Sequence, residues 1–186
     1  MVGEARVGGG GAGDTVGCMT HAATANPHPR FGEALAGLGL GETEIRQFPE
    51  ATRTAGEAAA AIGCELAQIV KSLVFEADGE PFLVLMDGSS RVDLDRVREA
   101  LGGVEVKRAN ADVVRAATGY AIGGVPPFGH VTRMRVLADR GLLAHDTVWA
   151  AAGTPHTVFP LDPETLIAHA RGTLVEVREA TASDAK

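Results

Sequence analysis

Apolar positions along the chain fall into short runs that alternate between two periods. Phe31, Leu35 and Leu38 recur at helical spacing, and Gly39 and Gly41 follow as stops. Glu44 to Phe48 reads as a short strand ending at Pro49. Thr54-Ala55-Gly56-Glu57 has the form of a capping box, which predicts a helix running through Ile62 and closed by Gly63. A helical turn over Glu65 to Gln68 leads into the strongest β signal, Ile69 to Phe75, with a return run from Pro81 to Met86 after Asp78-Gly79. Downstream, Asp93, Asn110 and Asp162 stand as caps of three further helices. The first carries Leu94, Val97 and Leu101, the second Val113, Val114 and Ala117, and the third opens on Pro163 and ends at Gly172. Strands are predicted over Val104–Lys107, Val131–Leu137, Thr147–Ala151, Thr157–Phe159 and Leu174–Val177, with a turn over Asp139–Leu143.

Strands and short helices therefore interleave, and strict β-α-β units are absent near the hairpin. That predicts an α/β (α+β) domain with a mixed sheet rather than a doubly wound parallel one. The expected organisation is a disordered glycine-rich tail over 1–26, one folded domain over 27–180 and a frayed tail over 181–186. The spacing Gly37-x-Gly39-x-Gly41 is not a dinucleotide fingerprint, because it lacks the G-x-G-x-x-G pattern and no strand precedes it.

Composition changes the picture in three places. The 17 Lys and Arg residues are outnumbered by 24 Asp and Glu, a net charge of −7, which argues against a protein whose affinity comes mainly from neutralising phosphates. The charge is uneven, however. Residues 89–135 hold eight basic against five acidic side chains, a net of +3, and the rest of the chain carries −10. Eight aromatics in 186 residues are too few for the stacking platforms of a sequence-tolerant single-strand binder, and no DNA partner is expected. With Cys18 and Cys64 far apart, no C-x-x-C pair and no histidine cluster, no metal is expected. No apolar run is long enough to span a membrane and no leader pattern opens the chain, so the expected location is cytoplasmic.

Three stretches could carry chemistry. Lys71 lies among apolar residues in a strand that reads as buried on both faces, so it either faces a pocket or snorkels out at a sheet edge. Gly119 to His130 holds Gly123-Gly124 followed by Pro126-Pro127; this is a stiffened glycine loop suited to binding an oxygen, or a tight structural turn. Ala150 to His156 is an Ala/Gly turn whose histidine either orients a group or has no role. Ser72, Ser89 and Ser90 lack the context of a Ser-His-Asp triad.

Gln68-Ile69-Val70-Lys71-Ser72-Leu73-Val74-Phe75, then Gly119-Tyr120 leading to Gly123-Gly124-Val125-Pro126-Pro127-x-Gly129, then the late Ala/Gly turn, resemble the YbaK/ProX family over about residues 29–180. Its members are freestanding relatives of the editing domain of bacterial prolyl-tRNA synthetase. The resemblance implies a barrel-like mixed sheet wrapped by helices. It also implies a trans-editing aminoacyl-tRNA deacylase that hydrolyses the ester of a mischarged prolyl tRNA carrying a small wrong amino acid, without cofactor or metal. Lys71, Gly123 and Gly124 take the catalytic positions, and Phe48, Ser72, Pro127 and His156 the substrate-binding ones. On this reading the Gly123 and Gly124 N–H groups hold the ester carbonyl, and Lys71 supplies positive potential. The implied partners are the acceptor end of the mischarged tRNA and a prolyl-tRNA synthetase. Ala151-Ala152-Gly153 lacks the serine that some relatives carry there, which leaves the preferred amino acid open. Two rival readings remain: a non-catalytic module that binds aminoacyl-tRNA or an amino acid, and a general hydrolase of small esters.

Overall fold

The structure is a computed structural model that describes residues 23–48 and 54–180. Residues 1–22, 49–53 and 181–186 lie outside the described residues, and with them most of the expected N-terminal tail, the strand end at Pro49 and the expected C-terminal tail. Five helices, α1 (Pro29–Gly37), α2 (Ala55–Ile62), α3 (Leu94–Ala100), α4 (Ala111–Thr118) and α5 (Pro163–Ala170), are interspersed among nine strands in the described residues. The strands are β1 (Ala23–Thr24), β2 (Arg46–Gln47), β3 (Val70–Ala77), β4 (Glu80–Asp87), β5 (Val106–Arg108), β6 (Arg135–Asp139), β7 (Val148–Ala151), β8 (Thr157–Leu161) and β9 (Thr173–Val175).

They form a four-stranded sheet, β1-β2-β8-β7, and a five-stranded sheet, β5-β3-β4-β6-β9. The second is mixed: β4 and β6, and β6 and β9, run parallel, and the remaining pairs are antiparallel. A backbone bridge between Ile69 and Trp149 links the two sheets, and side chains of both sheets share one apolar core. The mixed sheet wrapped by helices is as expected, and the described strands make no closed barrel.

Local chemistry accounts for most element ends. The Thr54 hydroxyl accepts from Glu57 N–H at 3.2 Å, and Thr54 N–H donates to the Glu57 carboxylate at 3.0 Å. Each such cap is worth about 1 kcal/mol. Asp93, Asn110 and Asp162 cap α3, α4 and α5 through their side-chain oxygens. The β3–β4 hairpin turns on Asp78 and Gly79, both at positive φ (50° and 83°), as a two-residue turn matched to strand twist requires.

Three expectations shift. Leu38 is 39% exposed and closes α1 rather than packing under it. The strand expected from Val131 begins only at Arg135, because Val131 and Thr132 donate their N–H groups to Thr118 and Ala117 at the end of α4. α5 ends on Arg171 in the left-handed region (φ 54°), one residue before Gly172. Gly172 is needed for another reason: a Cβ there would sit 3.2 Å from both Ala138 Cβ and Ile167 Cγ2.

Strand alternation divides the core. Val70, Val74, Leu83, Leu85, Val136 and Ala138 face one side of the five-stranded sheet, with Phe31 and Phe159. Phe75, Phe82, Val84, Met86 and Leu137 face the other, under Val97 of α3. A third cluster joins Phe48, Ala58, Ala59, Ile69, Trp149 and Val158 where the two sheets meet.

Candidate active site

The site arises from incomplete pairing of β3. Its full length pairs with β4, but on the other edge β5 joins only from Phe75 onward. Val74 C=O accepts from Ala109 N–H on that open edge at 3.2 Å. Strand alternation therefore turns Ser72 N–H and C=O, two residues earlier, toward the same edge, where no strand follows. A cavity of about 330 Å³ occupies the gap. Its floor is Val70 to Val74, and its walls come from Ala58 of α2, Trp149 and Ala151 of β7, Thr157 and Val158 of β8, and the loop at Ile122 and Gly123. Most of these groups are apolar, and the volume is at the small end of the roughly 300–1,000 Å³ usual for small-molecule sites.

Lys71 and Ser72 are neighbours on that floor. Lys71 Nζ donates to Ser90 C=O, leaving two of its three N–H bonds for a ligand. Burial pulls the Lys71 pKa below its usual value; Asp87 opposes this, and Arg91 and Arg108 reinforce it. The Ser72 hydroxyl is buried with no hydrogen-bond partner among the described residues. The buried hydroxyl and the half-buried ammonium, on adjacent residues of the strand, are each costly unless a ligand completes them.

The Lys71 contact has its own support. Asp87, 3% exposed, accepts from Ser89 N–H at 2.9 Å, Ser89 Oγ at 2.6 Å and Ser90 N–H at 2.9 Å. Burial alone would raise the Asp87 pKa, but these Ser89 and Ser90 hydrogen bonds outweigh it and hold it low. The carboxylate thus fixes the turn whose carbonyl grips Lys71. Asp87→Asn is expected to cost about 1.5–3 kcal/mol in denaturant unfolding at neutral pH. Because the native pKa is depressed, that contribution is present above the usual carboxylate value of 3.8 and is lost as pH falls below it. The gap between wild type and variant is therefore expected to close in acid; a pH-independent gap would contradict the assignment.

The glycine loop is tied across its base. Tyr120 Oη donates to Gly129 C=O at 2.8 Å, Tyr120 N–H donates to Thr118 Oγ1 at 3.1 Å, and the His130 ring lies 2.8 Å from Pro126 C=O. Burial pushes the Tyr120 phenol up to about 12 and the His130 imidazole down, so both stay neutral near pH 7.

The residues singled out from sequence fall in different places. Lys71, Ser72 and Gly123 line one cavity. Gly123 has φ 86°, and its N–H has no hydrogen bond among the described residues. Gly124 stands behind it. Its N–H, expected to be free for a ligand, donates to Ala121 C=O at 3.0 Å, and its backbone packs so tightly that a Cβ would lie 2.8 Å from Thr154 Cα. Phe48 is buried in the wall behind Ile69 and Trp149 rather than at the cavity surface. Pro127 lies further along the loop and lines a separate groove. His156 is half-buried outside the cavity lining, and its C=O accepts from Phe48 N–H at 2.9 Å.

Sequence reasoning missed Thr154 and Thr157, whose hydroxyls lie 2.7 Å apart at the cavity rim, as well as Trp149 and Asp87. Trp149, the single tryptophan, stood out in the composition alone. Among the described residues no group of three His, Cys, Asp or Glu side chains could hold a metal, and no helix is long and apolar enough to cross a membrane.

Fold and site together define a small mixed α/β domain with a lysine-floored, glycine-rimmed pocket. The aminoacyl-tRNA editing domain family matches residues 49–168, and the chain belongs to that family. It is 31% identical over 126 residues to the uncharacterized protein YwhH of Bacillus subtilis, covering 67% of this chain and 80% of that one. It is 36% identical over 86 residues to the proline–tRNA ligase of Geobacter sp. strain M21, covering 46% of this chain but only 15% of the ligase. A crystal structure described as a candidate trans-editing enzyme for prolyl-tRNA synthetase superposes with a TM-score of 0.78 at 39% identity, covering 83% of this chain and 100% of that one.

Proposed function

We propose that the chain is a trans-editing deacylase that hydrolyses the ester linking a small, wrong amino acid to the 3′ end of a prolyl tRNA. The observation that carries this reading is the meeting of Lys71, the unpartnered Ser72 hydroxyl and the Gly123 rim in one small apolar cavity. Its size suits an aminoacyl group with the sugar that bears it. Family membership and the likeness to the candidate prolyl editing enzyme support the substrate class.

In this scheme water adds to the ester carbonyl carbon. The resulting oxyanion is held by Gly123 N–H and by positive potential from Lys71, and the carbon–oxygen bond to the ribose then breaks. The ribose oxygen takes up a proton, giving free amino acid and a tRNA with its hydroxyl restored. A preorganised donor of this kind is typically worth about 3 kcal/mol. In this scheme Lys71 acts as a charged donor, with one of its N–H bonds held by Ser90 C=O and the others turned to the substrate. Ser72 contacts the aminoacyl group. Gly124, Phe48 and His156 act from behind by holding the turn and wall in place.

The test is a deacylation panel in which prolyl and alanyl tRNAs carry Ala, Cys, Ser, Thr or Pro. Faster release of a small non-cognate residue, with cognate Pro-tRNA spared, is the expected result; equal rates across the panel would support the general esterase instead. Ser72→Ala provides a finer check. Stability is expected to hold or rise slightly, because the hydroxyl it removes had no partner, while kcat/KM falls about tenfold. An unchanged kcat/KM would remove Ser72 from the site.

A further inference from the structure

Across the loop from the cavity, an open groove of about 650 Å³ runs between the start of β6 and the end of α5. Arg133, Arg135 and Arg171 line it together with His130 and His169, and no carboxylate does. All three arginines are exposed. None lies in an ion pair among the described residues. In a chain with 24 acidic and 17 basic residues, three neighbouring guanidiniums with no carboxylate in the groove make this face locally positive.

Their backbones are held firmly. Arg135 starts β6 opposite Phe82. Arg171 is the left-handed cap of α5, and Thr132, just before Arg133, is bonded to the end of α4. Guanidinium is the side chain best matched to paired phosphate oxygens.

We propose that this groove binds the phosphate backbone of the substrate RNA; the assignment rests on the reading of the chain as a tRNA deacylase. Gly123 lines the cavity and Pro127 lines the groove, four residues further on. Four residues span at most about 14 Å even when extended, so the groove lies within a few nucleotides of the ester. The groove selects for RNA through charge and the cavity selects the aminoacyl group, which lets a strongly acidic protein hold a polyanion at one place.

The test compares wild type, the triple reversal Arg133→Glu/Arg135→Glu/Arg171→Glu, and Arg98→Glu as a control outside the groove. Binding of uncharged tRNA is followed by fluorescence anisotropy across a salt series. Deacylation is followed on mischarged tRNA and on the matching aminoacyl-adenosine. The triple variant is expected to bind tRNA at least tenfold more weakly. Its log–log salt slope should flatten by roughly 0.7–0.9 for each phosphate no longer neutralised. It should hydrolyse aminoacyl-adenosine like wild type, and Arg98→Glu should leave all three readouts unchanged. Triple-variant affinity equal to wild type would overturn the proposal, as would wild-type binding of an acidic peptide of matched charge as tightly as tRNA. If wild type hydrolyses neither substrate but the triple variant still binds tRNA more weakly, the deacylase reading fails and the groove assignment stands.

Discussion

Lys71→Ala is expected to slow single-turnover deacylation of mischarged tRNA by at least a hundredfold, with the fold intact. The magnitude follows from the loss of a positioned cation at the one charged point on the cavity floor, since removing a comparable preorganised donor typically costs about 10²–10³ in rate. The fold survives because Lys71 is only half-buried and its one bond goes to a surface-turn carbonyl. Burial also lowers the Lys71 pKa, so the ammonium is a destabilising element in the folded state, and its removal is expected to leave the unfolding midpoint level or raised. Native lysine sheds its proton at a lower pH than unfolded lysine. Wild-type stability should therefore gain slightly as pH rises toward 10.5, and the variant's should not. Rate and denaturant midpoint measured on the same preparation check both halves. A wild-type rate in the variant would remove Lys71 from the chemistry.

Gly124→Ala is expected to damage activity far more than Gly123→Ala, although only Gly123 reaches the cavity. A Cβ on Gly124 would lie 2.8 Å from Thr154 Cα and C and 3.0 Å from Pro155 N. All three are backbone atoms of the turn that forms the opposite rim, so one strand of the site must move. Overpacking of this kind costs about 1–3 kcal/mol, and a displacement near 1 Å at a reacting centre can cost about 10² in rate. A Cβ on Gly123 meets only the Pro155 ring, with Cβ at 3.7 Å. Its cost is the positive φ of 86°, about 1–2 kcal/mol for an L residue. Unfolding midpoints and kcat for the two variants separate packing from rim geometry. If Gly124→Ala kept full activity, the tight seat against Thr154 would not be shaping the site.

What the sequence made legible was mostly local. The Thr54–Glu57 box, the caps at Asp93, Asn110 and Asp162, and the Asp78-Gly79 turn are each set by side chains within four residues of the element they end. The anomaly at Lys71 was also readable, because an ammonium among Ile69, Leu73 and Phe75 needs a reason. Its partner was not. Ser90 C=O lies 19 residues away and arrives through the β3–β4 register and a turn held by Asp87.

The glycine loop exposes the same limit. Gly123, Gly124 and Pro127 read as one motif, yet the chain turns between them, so that one faces the cavity, one packs against Thr154 and one faces the basic groove. Phe48 is close to the site in sequence terms but lies one layer too deep, because the cluster with Ala59 and Trp149 claims its ring. The strand expected at Val131 failed for a tertiary reason: its N–H groups complete α4 before the sheet can use them.

A deacylase differs from a binding module in that its pocket turns over an aminoacyl ester rather than merely holding it. The most direct measurement incubates the full chain at a concentration well below that of a prolyl tRNA mischarged with alanine, and follows free alanine against time. Many moles of alanine released per mole of protein, well above spontaneous hydrolysis and abolished by Lys71→Ala, is the expected result. Release no faster than the uncatalysed ester, with the tRNA bound one to one and intact, would contradict it and leave a binding module of the same fold.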